Sequence, residues 1–339
     1  MLHYYTLLYY NNILKTLKNM ANIKKIPFII SLITLLTFIT SAKGEIKVVT
    51  SIKPIHSLVS YIMDGVSSPD VIVDGYNSPH GFTLKPSHAK MLQEADIVIY
   101  IGEGIENFLE KPLESISKKS AKFELLKQSG IKKLKFRERN IFEDHDEHGH
   151  DKKVKKDEDH DDHGHGHDEH GHGEFDPHIW LDPMNAKIII KKITNQLSKM
   201  DRKNSSIYKT NSKKALKEID QLIEEVKKNV NKKASVVVFH DAYQYFESRF
   251  NINIIGALTV NTDVLPGAEQ LSEIREVIEH EKVKCILSEP QFNPEIIKTI
   301  AKDTNINTGI LDPLGANLDK GKTLYFDLIK NISSSFKNC

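Results

Sequence analysis

Nine histidines fall within the 32 residues from Glu143 to Glu174: His145, His148, His150, His160, His163, His165, His167, His170 and His172. Thirteen Asp or Glu residues surround them against four Lys, giving the tract a formal charge of −9. Imidazole nitrogen is the commonest protein ligand for transition metals, and a Cys-poor, His-rich tract points to metal binding. The alternative is a solvated low-complexity insertion with incidental binding.

The other histidines are less crowded. His3 lies near the start of the chain. His280 ends a charged helix, and His56 and His88 stand at helix starts, where a structural role is favoured. Three differ, because each follows a strand-like run or sits in a loop before a helix. His80 lies in Asn77-Ser78-Pro79-His80-Gly81. His178 lies in Asp176-Pro177-His178, ahead of a helix that Asp182 can N-cap with Pro183 in its first turn. His240 follows Val236-Val237-Val238-Phe239. In open α/β sheets ligands bind at the carboxyl ends of the strands. Histidines from three such ends can converge on one metal, with Asp312 of Leu311-Asp312-Pro313 as a possible fourth ligand. Spacing alone leaves open that each is a loop histidine satisfied by backbone.

The elements that would position them alternate. Strand-like runs at Lys47–Ser51, Val71–Asp74, Ile97–Ile101, Val236–Phe239, Ile252–Ala257, Cys285–Ser288 and Ile306–Ile310 are rich in Val and Ile. Amphipathic segments lie between them, including Ile105–Ser117, which argues for parallel α/β sheets. Asn204–Val230 breaks the rhythm: it has no Pro or Gly and keeps Leu216, Ile219, Leu222, Ile223, Val226 and Val230 at helical spacing. The expected architecture is α/β, with two similar lobes of parallel sheet joined by a long rigid helix. The N-terminal lobe covers 45–200 with 143–174 as a disordered insertion, the linking helix 201–231, and the C-terminal lobe 232–339.

Lys24-Lys25 precede an apolar run, Ile26–Thr40, that ends in Ser41-Ala42-Lys43-Gly44. A basic start, a short apolar core and small residues describe a secretory signal peptide at 1–44, with 20–44 sufficient if Met20 is the true start. A retained anchor is the alternative, but the run is shorter than the roughly 20 residues of a membrane span. Two cysteines, Cys285 and Cys339, would then meet an oxidising compartment, where a bridge is more usual than two free thiols. A net charge of +1 gives no case for nucleic acid.

Seven stretches, in order, resemble the periplasmic metal-binding proteins of zinc-uptake ABC transporters. They are Thr50-Ser51-Ile52-Lys53-Pro54, His80 to Ser87, Asp176 to Leu181, Phe239 to Tyr243, Pro266-Gly267-Ala268, Ser288 to Phe292 and Leu311 to Gly315. A His- and acid-rich insertion between the first two ligand histidines is also a habit of that family. The resemblance implies Zn²⁺ held between two lobes by His80, His178 and His240, and a disulfide between Cys285 and Cys339. Manganese-binding members usually carry a carboxylate at the position of His240 and use an Asp matching Asp312. Some zinc members have a Glu where this chain has Pro79, so Asp312 or a water remains open as fourth ligand.

The function expected is capture of zinc in the periplasm and delivery to an inner-membrane ABC permease, whose cytoplasmic ATPase acts indirectly. The protein is expected to be a monomer and not an enzyme, with the His tract as an accessory metal loop. Two rivals are weighed against this: a manganese or broad divalent-metal carrier of the same family, and a zinc hydrolase. The hydrolase needs a base such as Asp241 or Glu289 and finds no HExxH-type motif.

Overall fold

The structure, a computed structural model, describes residues 44–102, 104–137, 140–141, 173–233, 235–260, 262 and 266–339. The proposed leader, but for Gly44, and all nine tract histidines lie outside these residues.

Two four-stranded parallel sheets carry the chain. The first is formed by β1 (Val48–Ile52), β2 (Asp70–Val73), β3 (Ile97–Tyr100) and β4 (Ala121–Glu124), in the order β2-β1-β3-β4. The second is formed by β5 (Ser235–His240), β6 (Asn253–Thr259), β7 (Cys285–Ser288) and β8 (Asn307–Ile310), in the order β6-β5-β7-β8. The same topology is used twice. Helices between the strands are α1 (Lys53–Met63), α2 (Pro86–Glu94) and the short α3 (Glu110–Ser115), then α6 (Gln244–Phe250), α7 (Ala268–His280) and α8 (Glu295–Thr304). Between the sheets come α4 (Pro183–Met200) and α5 (Ser205–Asn229). At 1.5 Å per residue α5 is about 37 Å long, and it matches the helix expected over 204–230.

Alternation explains how β5, an inner strand of the second sheet, is buried on both faces. Val236 and Val238 point into a core shared with α4 and α5. Val237 and Phe239 point the other way, into a second core with Ile274 and Ile278 of α7 and Ile297 and Ile300 of α8. The final helix, α9 (Leu324–Lys337), packs against α1 and α5. Its Tyr325 amide donates to Ser57 Oγ (2.9 Å) and its Tyr325 hydroxyl to the Trp180 carbonyl (2.8 Å). A Cys285–Cys339 disulfide fastens its end to β7.

Two expectations need correction. Strand β4 was not anticipated, because Ala-Lys-Phe-Glu is short and mixed in polarity. The helix expected over 105–117 is a short 3₁₀ turn, Asn107–Leu109, followed by α3. Among the described residues no helix is long and apolar enough to cross a membrane.

Candidate metal centre

Each of the three histidines is placed by its own local chemistry. After β2, Asp74 accepts from Gly75 N and, through its carbonyl, from Asn77 Nδ2, which curls the chain toward His80. Gly81 follows with φ +66°, a left-handed turn that glycine takes at little cost. Phe82 packs on Phe108 (centroids 5.0 Å apart) and holds the loop down. His178 opens a 3₁₀ turn, Ile179–Leu181, and Asp182 N-caps α4 by accepting from Met184 N at 2.8 Å, with Pro183 behind it. Arg249 grips that same Asp182 with two contacts of 2.7 Å. His240 is the last residue of β5.

The fold brings these three together. One ligand nitrogen from each of His80, His178 and His240 lies within 4.8 Å of the other two. Among the described residues this is the only such group. Nε2 of His178 and Nε2 of His240 stand 3.3 Å apart. Two nitrogens bound tetrahedrally to one Zn²⁺ at 2.0–2.1 Å would be about 3.3–3.4 Å apart. His178 and His240 are 3% and 4% exposed, and Pro79, Ile105, Trp180, Phe292, Pro313 and Leu314 wall the cavity. The donors are nitrogen only, a set that suits zinc better than manganese.

Behind two of the rings sit buried carboxylates. Asp176 Oδ1 lies 2.7 Å from His178 Nδ1 and also accepts from the His178 amide at 2.9 Å. Glu289 Oε1 lies 2.6 Å from His240 Nδ1. Such partners fix the tautomer and leave Nε2 for the metal. Burial, then the neighbouring His240, push His178 well below its ordinary value, so it is neutral. Burial also lowers His240, but Glu289, Asp241 and Asp176 more than offset it and the net shift is upward. Asp176 is pushed up to about 7 by burial, against the opposing pull of the His178 amide and the positive charges of His240 and Arg137.

Other expected residues lie elsewhere. Asp312 is not in the group. Its carboxylate accepts from Leu314 N (2.9 Å), Gly315 N (3.0 Å), Ala316 N and Gln291 Nε2 (2.8 Å). Buried Lys53 pins the same loop from the first lobe by donating to the Gly315 and Leu318 carbonyls, both at 2.7 Å. His88 caps α2, accepting from Lys85 N at 3.1 Å. His56 Nε2 is buried 3.1 Å from the Pro69 carbonyl. The carboxylates Asp176 and Glu289 were not foreseen in this role. Register carries the signal for Glu289: Val238 pairs with Leu287, so two residues on, His240 and Glu289 share a face.

Two α/β lobes with a buried, nitrogen-rich cluster describe a metal-binding solute-capture protein. Residues 48–339 match the family model described as the periplasmic zinc-uptake complex component A, ZnuA. The high-affinity zinc uptake system protein ZnuA of Brucella abortus is 41% identical over 304 residues, covering 86% of this chain and 91% of that one. That of Yersinia pestis is 33% identical over 303 residues, covering 86% and 90%. A crystal structure of ZnuA shares the fold at TM-score 0.69 and 20% identity, covering 87% of this chain and 99% of its own. The chain belongs to the ZnuA family. It is therefore a zinc-binding solute-binding protein of a zinc-uptake ABC system, a transport component and not an enzyme. The family is periplasmic and works with a permease and an ATPase.

Proposed function

We propose that His80, His178 and His240 are the ligands that take zinc, and that a water completes the tetrahedron. The 3.3 Å spacing of the His178 and His240 Nε2 atoms carries this reading, because it is the spacing zinc needs. Asp312 lies outside the cluster and spends its carboxylate on the amides of 314–316 and on Gln291, so it is not chosen as the fourth ligand. The N-terminal lobe is 45–200, the linking helix 201–231 and the C-terminal lobe 232–339. Residues 1–44 act as the export signal. The mature protein is a monomer that delivers zinc to an inner-membrane permease driven by its cytoplasmic ATPase. The histidines of 143–174 are an accessory loop that gathers zinc more weakly than the buried cluster.

Zinc titration in competition with a chelator tests the ligand set. Wild type should bind one equivalent tightly, and the His80→Ala, His178→Ala, His240→Ala triple variant should bind none tightly. A tight site surviving in that variant overturns the assignment.

A further inference from the structure

His178 and His240 belong to different lobes, yet their Nε2 atoms are held 3.3 Å apart. One segment touches the surroundings of both. After β4 the chain leaves the first sheet, and residues 132–137 and 140–141 lie against the second lobe.

On the His178 side, Leu134 O accepts from Asp176 N at 2.9 Å, and Lys135 forms an antiparallel bridge with Phe175. On the His240 side, Leu134 N donates to Tyr245 Oη (3.0 Å) and Gln244 Nε2 to the Lys135 carbonyl (3.1 Å). Arg137 then forks between Asp241 (Nη1 to Oδ1, 3.0 Å), the residue after His240, and Glu247. Finally Ala257 N donates to the Asn140 carbonyl (2.8 Å), Asn140 Nδ2 donates to the Leu258 carbonyl (3.0 Å), and Ile141 bridges Gly256 on the outer edge of β6. Gly256 has a steric reason to be glycine: a Cβ there would sit 2.6 Å from the Asn140 carbonyl oxygen.

We propose that residues 134–137 and 140–141 act as a strap that sets the separation of His178 and His240, with Arg137 as its positioning residue. The inference rests on the reading of those histidines as zinc ligands. A strap that holds them at zinc-binding distance spares the incoming ion the cost of drawing the lobes together. Slackening it should act chiefly on release, as most changes within one binding site do. Arg137 acts through Asp241, the residue after His240, and through Glu247 of α6.

The test measures zinc release from the full chain by stopped-flow chelator competition, alongside association rate, binding stoichiometry and the Tm of the zinc-free protein. Arg137→Met should speed release by about tenfold or more with association nearly unchanged, because an interlobe charge pair is lost. Arg137→Lys, which keeps the charge but not the fork, should fall between. Gly256→Ala displaces the strap without altering any charge and should act in the same direction as Arg137→Met. A merely structural loss would lower Tm or the fraction of molecules that bind, leaving release from the binding fraction as in wild type. That result in Arg137→Lys and Gly256→Ala would overturn the strap. A wild-type release rate retained in His240→Ala would instead overturn the ligand assignment beneath it.

Discussion

Glu289 Oε1 and His240 Nδ1 are 2.6 Å apart in a setting where both side chains are almost wholly buried. The pairing arises because β5 and β7 are neighbours in register, and both residues emerge from the carboxyl ends of their strands on one face. Asp176 does the same for His178 from two residues away in a tight turn. Each lobe therefore supplies a histidine already turned by its own carboxylate.

Glu289→Ala should weaken zinc binding by about 10–100-fold, the usual effect of losing a partner behind a ligating histidine. Glu289→Gln keeps an acceptor for Nδ1–H and should lose less. Chelator-competition affinities for the two variants check this; equal losses would show that the acceptor is not what matters.

The pH dependence follows from His240. His178 is neutral already, so it releases no proton near neutrality. His240 is raised above its ordinary 6.5, and its proton must leave before the ring can bind metal. Zinc affinity should therefore fall as pH is lowered, beginning above 6.5. In the zinc-free protein the sign reverses. A raised histidine contributes stability that is fully present below the unfolded value of about 6.5 and lost as pH rises through the folded value. Affinity and zinc-free Tm measured across this range should move in opposite senses on account of this group; affinity independent of pH between about 5.5 and 8 would contradict it.

Much of this was legible in the chain. His80, His178 and His240 stood out because each follows a strand-like run or precedes a capped helix, and both Asp182 and the linking helix lie where expected. The carboxylates behind the rings were not, because their role depends on strand register and a turn, which single residues do not reveal. Asp312 looked like a ligand from its position after β8. Its turn toward the amides of 314–316 depends on the loop that Lys53 pins from the other lobe. The strap was illegible for a similar reason: Lys132 to Arg137 has the look of a basic loop until its partners in α6 and β6 are known.

Deleting 143–172 should remove weak zinc equivalents and leave the single tight one. Calorimetry with the deleted chain checks this, and loss of the tight equivalent would move the principal site into the tract.

The Cys285–Cys339 bridge closes a loop of 54 residues. Chain-entropy reasoning assigns it about 4 kcal/mol of stability. Cys339→Ser should lower the unfolding midpoint with zinc affinity little changed, since the bridge lies at the end of α9 and not at the cluster. A large affinity loss in a folded variant would tie the bridge to the site.

A zinc-edge anomalous difference map of crystals grown with one equivalent of zinc locates the ion relative to His80, His178 and His240. One peak is expected in contact with all three rings, at about 2.0–2.1 Å from each ligating nitrogen. A map in which that position is empty, with the zinc bound elsewhere on the chain, would contradict it.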